Sequence, residues 1–65
     1  MRIRLNGIHT STSATTLRDL LEELGYAEQR IATALNGVFV TAAERCRRPL
    51  KEDDCIEIVS PRQGG

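Results

Sequence analysis

The sequence predicts one small α+β domain, a mixed sheet of four to five strands packed on a single main helix. Three observations carry this: two Asn-Gly turns between apolar runs, a leucine stripe at helical spacing, and a closing run whose isoleucines alternate with polar residues. With 65 residues, 40% of them hydrophobic, the chain suits one thin core rather than a buried catalytic pocket.

Arg2-Ile3-Arg4-Leu5-Asn6 alternates with period two and puts Ile3 and Leu5 on one face. Asn6-Gly7 follows as a hairpin signal, and Ile8 to about Ser13 returns as a strand. The threonines and serines of that return suit an exposed edge. Thr16 begins a helix as its cap, with Asp19 favouring the positive N-terminal end. Leu17, Leu20, Leu21 and Leu24 fall at i, i+3, i+4 and i+7, a stripe expected to dock on the sheet. Gly25 is placed to end the helix in a left-handed conformation.

After a linker at Tyr26–Gln29, Arg30 to Leu35 reads as a strand, Asn36-Gly37 turns, and Val38-Phe39-Val40 returns. A two-residue turn pairs Leu35 with Val38 and Ala34 with Phe39, so both faces are partly apolar and the inward one stays open. A face the helix does not cover is a candidate docking surface, with Phe39 and Val59 as candidate partner-binding residues. Thr41–Arg48 reads as polar and irregular, with room for one helical turn before Pro49. Leu50–Asp54 reads as a solvated turn into Cys55-Ile56-Glu57-Ile58-Val59, where Ile56 and Ile58 share a face. This last strand matches the first, and the long crossover permits the two to lie parallel at the sheet centre. The domain is expected over residues 1–59, with 60–65 a flexible tail: Pro61 interrupts strand pairing, and Gly64-Gly65 favours disorder.

Nine basic residues balance nine acidic ones, and the aromatics are Tyr26 and Phe39. No nucleic-acid partner is expected, for want of a basic surface and a stacking platform. The start of the chain alternates charge and apolarity, so neither a signal peptide nor a membrane span is expected. Cys46 and Cys55 are expected as free thiols of a cytoplasmic protein, and no metal site is expected, since His9 stands alone and C-x-x-C is lacking. Arg45 and Arg47 flank Cys46 and make its thiol a candidate for reactivity. The run Arg45, Arg47, Arg48 otherwise reads as a solvated loop. Glu52, Asp53 and Asp54 read as a solvated turn rather than a catalytic cluster.

The tail is the chemical feature. Extended, Ser60–Gly65 could reach about 20 Å from the domain. Two glycines without Cβ atoms can thread a narrow channel and let a partner's backbone approach. A carboxylate is inert at neutral pH, but adenylyl transfer makes it an electrophile that a sulfur nucleophile can attack with loss of AMP.

Taken together, the opening Ile3-Arg4-Leu5-Asn6-Gly7, the helix Thr16-Leu17 to Leu24-Gly25, Ala34-Leu35-Asn36-Gly37 with Val40, Leu50-Lys51-Glu52, Asp54, Ile56-Glu57-Ile58-Val59 and Gly64-Gly65 form an ordered set. This set resembles the ThiS family of thiamine-biosynthesis sulfur carriers, over the whole chain. The resemblance implies a ubiquitin-like β-grasp fold and a carrier that is not itself an enzyme. It implies Gly65 as the sulfur acceptor, adenylated and then a thiocarboxylate, and Gly64 as its spacer. Pro61, Arg62 and Gln63 would contact partners along with Phe39 and Val59. The implied partners are an E1-like, ThiF-type adenylyltransferase that uses ATP and magnesium, a persulfide sulfur donor, and a ThiG-type thiazole synthase. No cofactor would be bound by this chain. Asp53-Asp54 stands where the family usually has Gly-Asp, and Thr41-Ala42 replaces a commoner Pro-Arg, which bears on partner fit. A sulfur carrier of the molybdopterin synthase small-subunit type, a ubiquitin-like modifier and a non-covalent β-grasp interaction module remain as alternatives.

Overall fold

The computed structural model describes residues 1–26 and 30–60. Among these, β1 (Arg2–Leu5), β2 (Ile8–Ser11), β3 (Ala32–Leu35), β4 (Val38–Val40) and β5 (Cys55–Val59) form one mixed sheet in the order β2-β1-β5-β3-β4. β1 and β5 are parallel, the other neighbours antiparallel, and β2 is an edge, as its composition predicted. Both hairpins turn through an asparagine and a glycine at positive φ: Asn6 (+50°) with Gly7 (+83°), and Asn36 (+52°) with Gly37 (+84°). Paired positive φ angles match the right-handed twist of the flanking strands.

Helix α1 spans Leu17–Leu24. The Thr16 hydroxyl accepts from the Asp19 N–H at 3.1 Å, and Gly25 ends the helix at φ +86°, both as the sequence predicts. The start of α1 is tied to the far side of the chain, with Leu17 N–H donating to the Arg48 carbonyl and Leu50 N–H to that of Thr15, both at 2.9 Å. Leu17, Leu20 and Leu21 enter a core with Ile3, Ala14, Val40, Leu50, Ile56 and Ile58. Leu24 does not join them and is 37% exposed. The stripe predicted four buried leucines, but a helix of two turns ends before its last leucine is covered.

The open face parity of the β3–β4 hairpin resolves with Thr33 and Val40 inward. Thr33 is buried because its hydroxyl is satisfied: it donates to the Val40 carbonyl at 2.9 Å and accepts from Arg45 Nε at 3.1 Å. Arg45 also donates to the Ile31 carbonyl at 2.8 Å. It is therefore not the solvated loop residue expected but a half-buried brace. It projects from a 3-10 helix, Ala42–Arg47, in the segment read as irregular.

The acidic turn also differs from expectation at one residue. Asp54 is buried, accepting from Lys51 N–H at 2.8 Å and from Asn36 Nδ2 at 3.0 Å. Asp53 adopts φ +70°, the left-handed conformation that glycine meets without strain and aspartate tolerates. The arrangement is the ubiquitin-like β-grasp. No helix of the described residues is long and apolar enough to cross a membrane.

Candidate functional site

With α1 on one face, alternation sends the other residue of each strand pair outward. Ala34 stands opposite both Phe39 and Glu57, and Ala32 opposite Val59. Phe39 and Val59 thus share the uncovered face, 63% and 62% exposed. Both were predicted, and the structure brings them onto one surface. Ala32 and Ala34 add to it and were not singled out. Their signal was the two-residue turn, which sets Ala34 beside Phe39 and leaves a small, flat apolar floor between the two larger side chains. Glu57 stands beside Ala34 on this face, and its charge limits how far apolar contact can extend along β5.

Further across the same face, Cys55 is in register with Arg4, and Arg4 with His9. With Ile3 and Asp53 they line an open hollow of about 240 Å³. Both cysteines are free thiols. Arg45 bonds Ile31 and Thr33, so one of the two flanking guanidinium groups expected beside the Cys46 thiol is engaged elsewhere. Among the described residues no group of three or more His, Cys, Asp or Glu side chains is placed to hold a metal ion.

The electrostatic feature of the helix start is Asp19. Hydrogen bonds from the Thr15 and then the Thr16 side chain hold its carboxyl below the ordinary value, the Thr15 hydroxyl lying at 2.9 Å. This is capping chemistry, remote from the exposed apolar face. Pro61, Arg62, Gln63, Gly64 and Gly65, the tail residues predicted from the sequence, lie outside the described residues. The structure describes the strand that precedes them, which ends at Val59, and Ser60 after it.

What this arrangement offers is a firm sheet with an apolar patch on its open side. Comparison with known proteins gives it a setting. The ThiS family model matches residues 3–65. A sulfur carrier protein ThiS of Thermus thermophilus is 36% identical over 61 residues, covering 94% of this chain and 95% of that protein. A thiazole synthase of Magnetococcus marinus is 39% identical over 66 residues, covering 100% of this chain; the chain spans only 20% of that protein's length. Among solved structures, the crystal structure of a thiamine biosynthesis protein (ThiS) from Geobacter metallireducens superposes with a TM-score of 0.84 at 22% identity, covering 100% of both chains. The solution structure of a thiamine biosynthesis protein from the same organism gives 0.81, also at 22% identity, covering 100% of this chain and 88% of that one. At that identity the two structures speak for the fold.

Proposed function

The chain belongs to the ThiS family, and from that premise we propose that it is a protein-borne sulfur carrier of thiamine biosynthesis whose reactive group is the Gly65 carboxylate. The observation that carries this reading is the family match, which runs through the Gly64-Gly65 end as well as the domain.

An E1-like, ThiF-type adenylyltransferase, using ATP and magnesium, would transfer AMP to the Gly65 carboxylate with release of pyrophosphate. The terminal sulfur of a persulfide then attacks the carbonyl and expels AMP, and cleavage of the S–S bond by a thiol leaves the thiocarboxylate. Glycine at position 65 keeps the carbonyl open to attack, and Gly64 gives the tail the slimness to enter a partner's site. The chain's own role is to bind, present and be modified, while its partners catalyse. Phe39 and Val59 on the open face, with Pro61, Arg62 and Gln63, form the proposed contact surface for those partners. Exposed aromatic and apolar residues on a rigid sheet suit that task.

The acceptor of the sulfur would be a ThiG-type thiazole synthase. The Magnetococcus protein supports that pairing, because a segment similar to this whole chain lies within a thiazole synthase. The apolar open face also favours a second reading, a module that only docks without covalent chemistry.

Intact mass after incubation with ATP, magnesium, a sulfur source and a ThiF-type adenylyltransferase tests the proposal. Replacement of one oxygen by sulfur, lost when Gly64 and Gly65 are deleted, is the expected result. A folded chain that forms neither adenylate nor thiocarboxylate with an active partner would refute the carrier and leave the docking module.

A further inference from the structure

Strand β1 ends at Leu5, yet β5 continues to Val59. Along their shared edge the carbonyls of Asp54 and Ile56 accept from the backbone N–H groups of Arg4 (2.8 Å) and Asn6 (2.9 Å). The next carbonyl in this alternation belongs to Ile58, and by then the main chain has turned away through Asn6-Gly7. The Asn6 side chain takes over. Its Nδ2 donates to the Ile58 carbonyl at 3.4 Å, and its Oδ1 accepts from the Ile58 N–H at 2.9 Å. A carboxamide offers the same donor and acceptor as a peptide group, so it extends the parallel ladder by one step without backbone. On the other side of the strand, Val59 pairs with Ala32.

The turn alone does not require this. Glycine would meet the positive φ of position 6 at least as readily. Asn36 makes the comparison within the molecule. It occupies the same kind of turn, but its amide serves the opposite end of β5, with Oδ1 accepting from the Cys55 N–H at 2.9 Å and Nδ2 donating to Asp54. The two turn asparagines therefore hold β5 at both ends, and Asn6 holds the end that leads to Gly65, seven residues beyond Ile58.

We propose that Asn6 is a positioning residue for the C-terminal segment, its carboxamide fixing the point and direction from which the chain leaves the sheet after Val59. The consequence for sulfur transfer rests on the carrier reading; the tether at Ile58 does not. With the base of the segment fixed, fewer directions are open to the tail, and a larger fraction of docked complexes present Gly65 to the partner's site.

Three variants test this. Asn6→Gly keeps the turn and removes the carboxamide, Asn6→Asp keeps an acceptor for the Ile58 N–H, and Asn36→Gly removes the equivalent amide at the far end. Amide exchange is read at Ile58 against Ile3 and Ile56, and adenylation by a ThiF-type enzyme is read as separate kcat and KM. In Asn6→Gly, exchange at Ile58 should rise about ten-fold beyond any change at Ile3 and Ile56, as expected for local opening after loss of one hydrogen bond. Its kcat should fall several-fold with KM for the carrier unchanged, since the docking face is intact. Asn6→Asp should recover only part of both, since it keeps the acceptor for the Ile58 N–H but loses the donor to the Ile58 carbonyl, and Asn36→Gly should keep the wild-type kcat. Unchanged exchange at Ile58 in Asn6→Gly would overturn the tether. Raised exchange with a wild-type kcat, or an equal loss of kcat in Asn36→Gly, would overturn the positioning role. If the unmutated chain forms no adenylate, the carrier reading fails, and the exchange measurement still decides whether Asn6 holds Ile58.

Discussion

Leu20 and Leu24 lie one turn apart on the same helical stripe, but Leu20 is 0% exposed and Leu24 is 37% exposed. Truncating either to alanine deletes the same atoms and leaves helix propensity nearly unchanged. The cost therefore reports the surroundings of each. At Leu20, enclosed by Ile3, Leu17, Ile56 and the rest of the core, a cavity remains, and the change should cost about 3–4 kcal/mol. At Leu24 the side chain already meets water, so the loss should be about 1 kcal/mol. A single core in a chain of this size rarely supplies more than about 3–5 kcal/mol. Leu20→Ala should consequently bring the domain close to unfolding at room temperature, while Leu24→Ala stays folded. Urea titration followed by circular dichroism would separate them, with a midpoint about 1 M lower for Leu24→Ala and little or no folded baseline for Leu20→Ala. Equal losses in the two variants would refute the placement of α1 on the sheet, because the difference follows from burial alone.

Two further outcomes are expected. Phe39→Ala should cost no more than about 1 kcal/mol of stability, since the ring lies outside the core, while raising KM for the adenylyltransferase about ten-fold; Ile8→Ala, also exposed but on β2 at the opposite edge of the sheet, should not move KM. Asp19 has a folded-state pKa below its unfolded value, so its stabilising effect is present above the unfolded value, near pH 4, and is lost as pH falls through the folded one. The stability difference between wild type and Asp19→Asn, followed by thermal unfolding, should therefore shrink as the pH is lowered below about 4.

Features that depend on a few neighbouring residues were legible in the sequence. Both Asn-Gly turns, the Thr16 cap, the Gly25 stop and the inward isoleucines of β5 follow from local backbone preference and from a period of two or 3.6. Those that depend on distant partners were not. Thr33 is buried only because the Val40 carbonyl and Arg45 satisfy its hydroxyl, and no pattern along β3 reveals that. Asp54 is buried among a run of acids because Asn36, 18 positions earlier, reaches it. Leu24 fits the stripe and still faces water, since a period says which side of a helix is apolar and not where the sheet beneath it stops. The candidate surface divides in the same way. Val59 follows as an outward residue from the alternation of Ile56 and Ile58, whereas the outward side of Phe39 and the Ala32–Ala34 floor needed the register of β3 on both neighbours.

The placement of β5 bears on the carrier role in a way that neither the tail nor the open face does separately. As the middle strand it is bonded to β1 on one side and β3 on the other. A slip of one residue would send Ile56 and Ile58 outward and bring Glu57 into the core, which would leave a carboxylate buried beside leucines. The register is therefore defended by the core itself, and the same register decides that Val59 emerges on the face of Phe39. A partner that grips this face gains a known distance and direction to the chain leaving β5. An edge strand such as β2, with one bonded neighbour and no buried isoleucine, would transmit position far less well. Under the carrier reading, a reactive end that follows directly on the central strand would have a defined origin, which an edge strand of so small a domain would not supply.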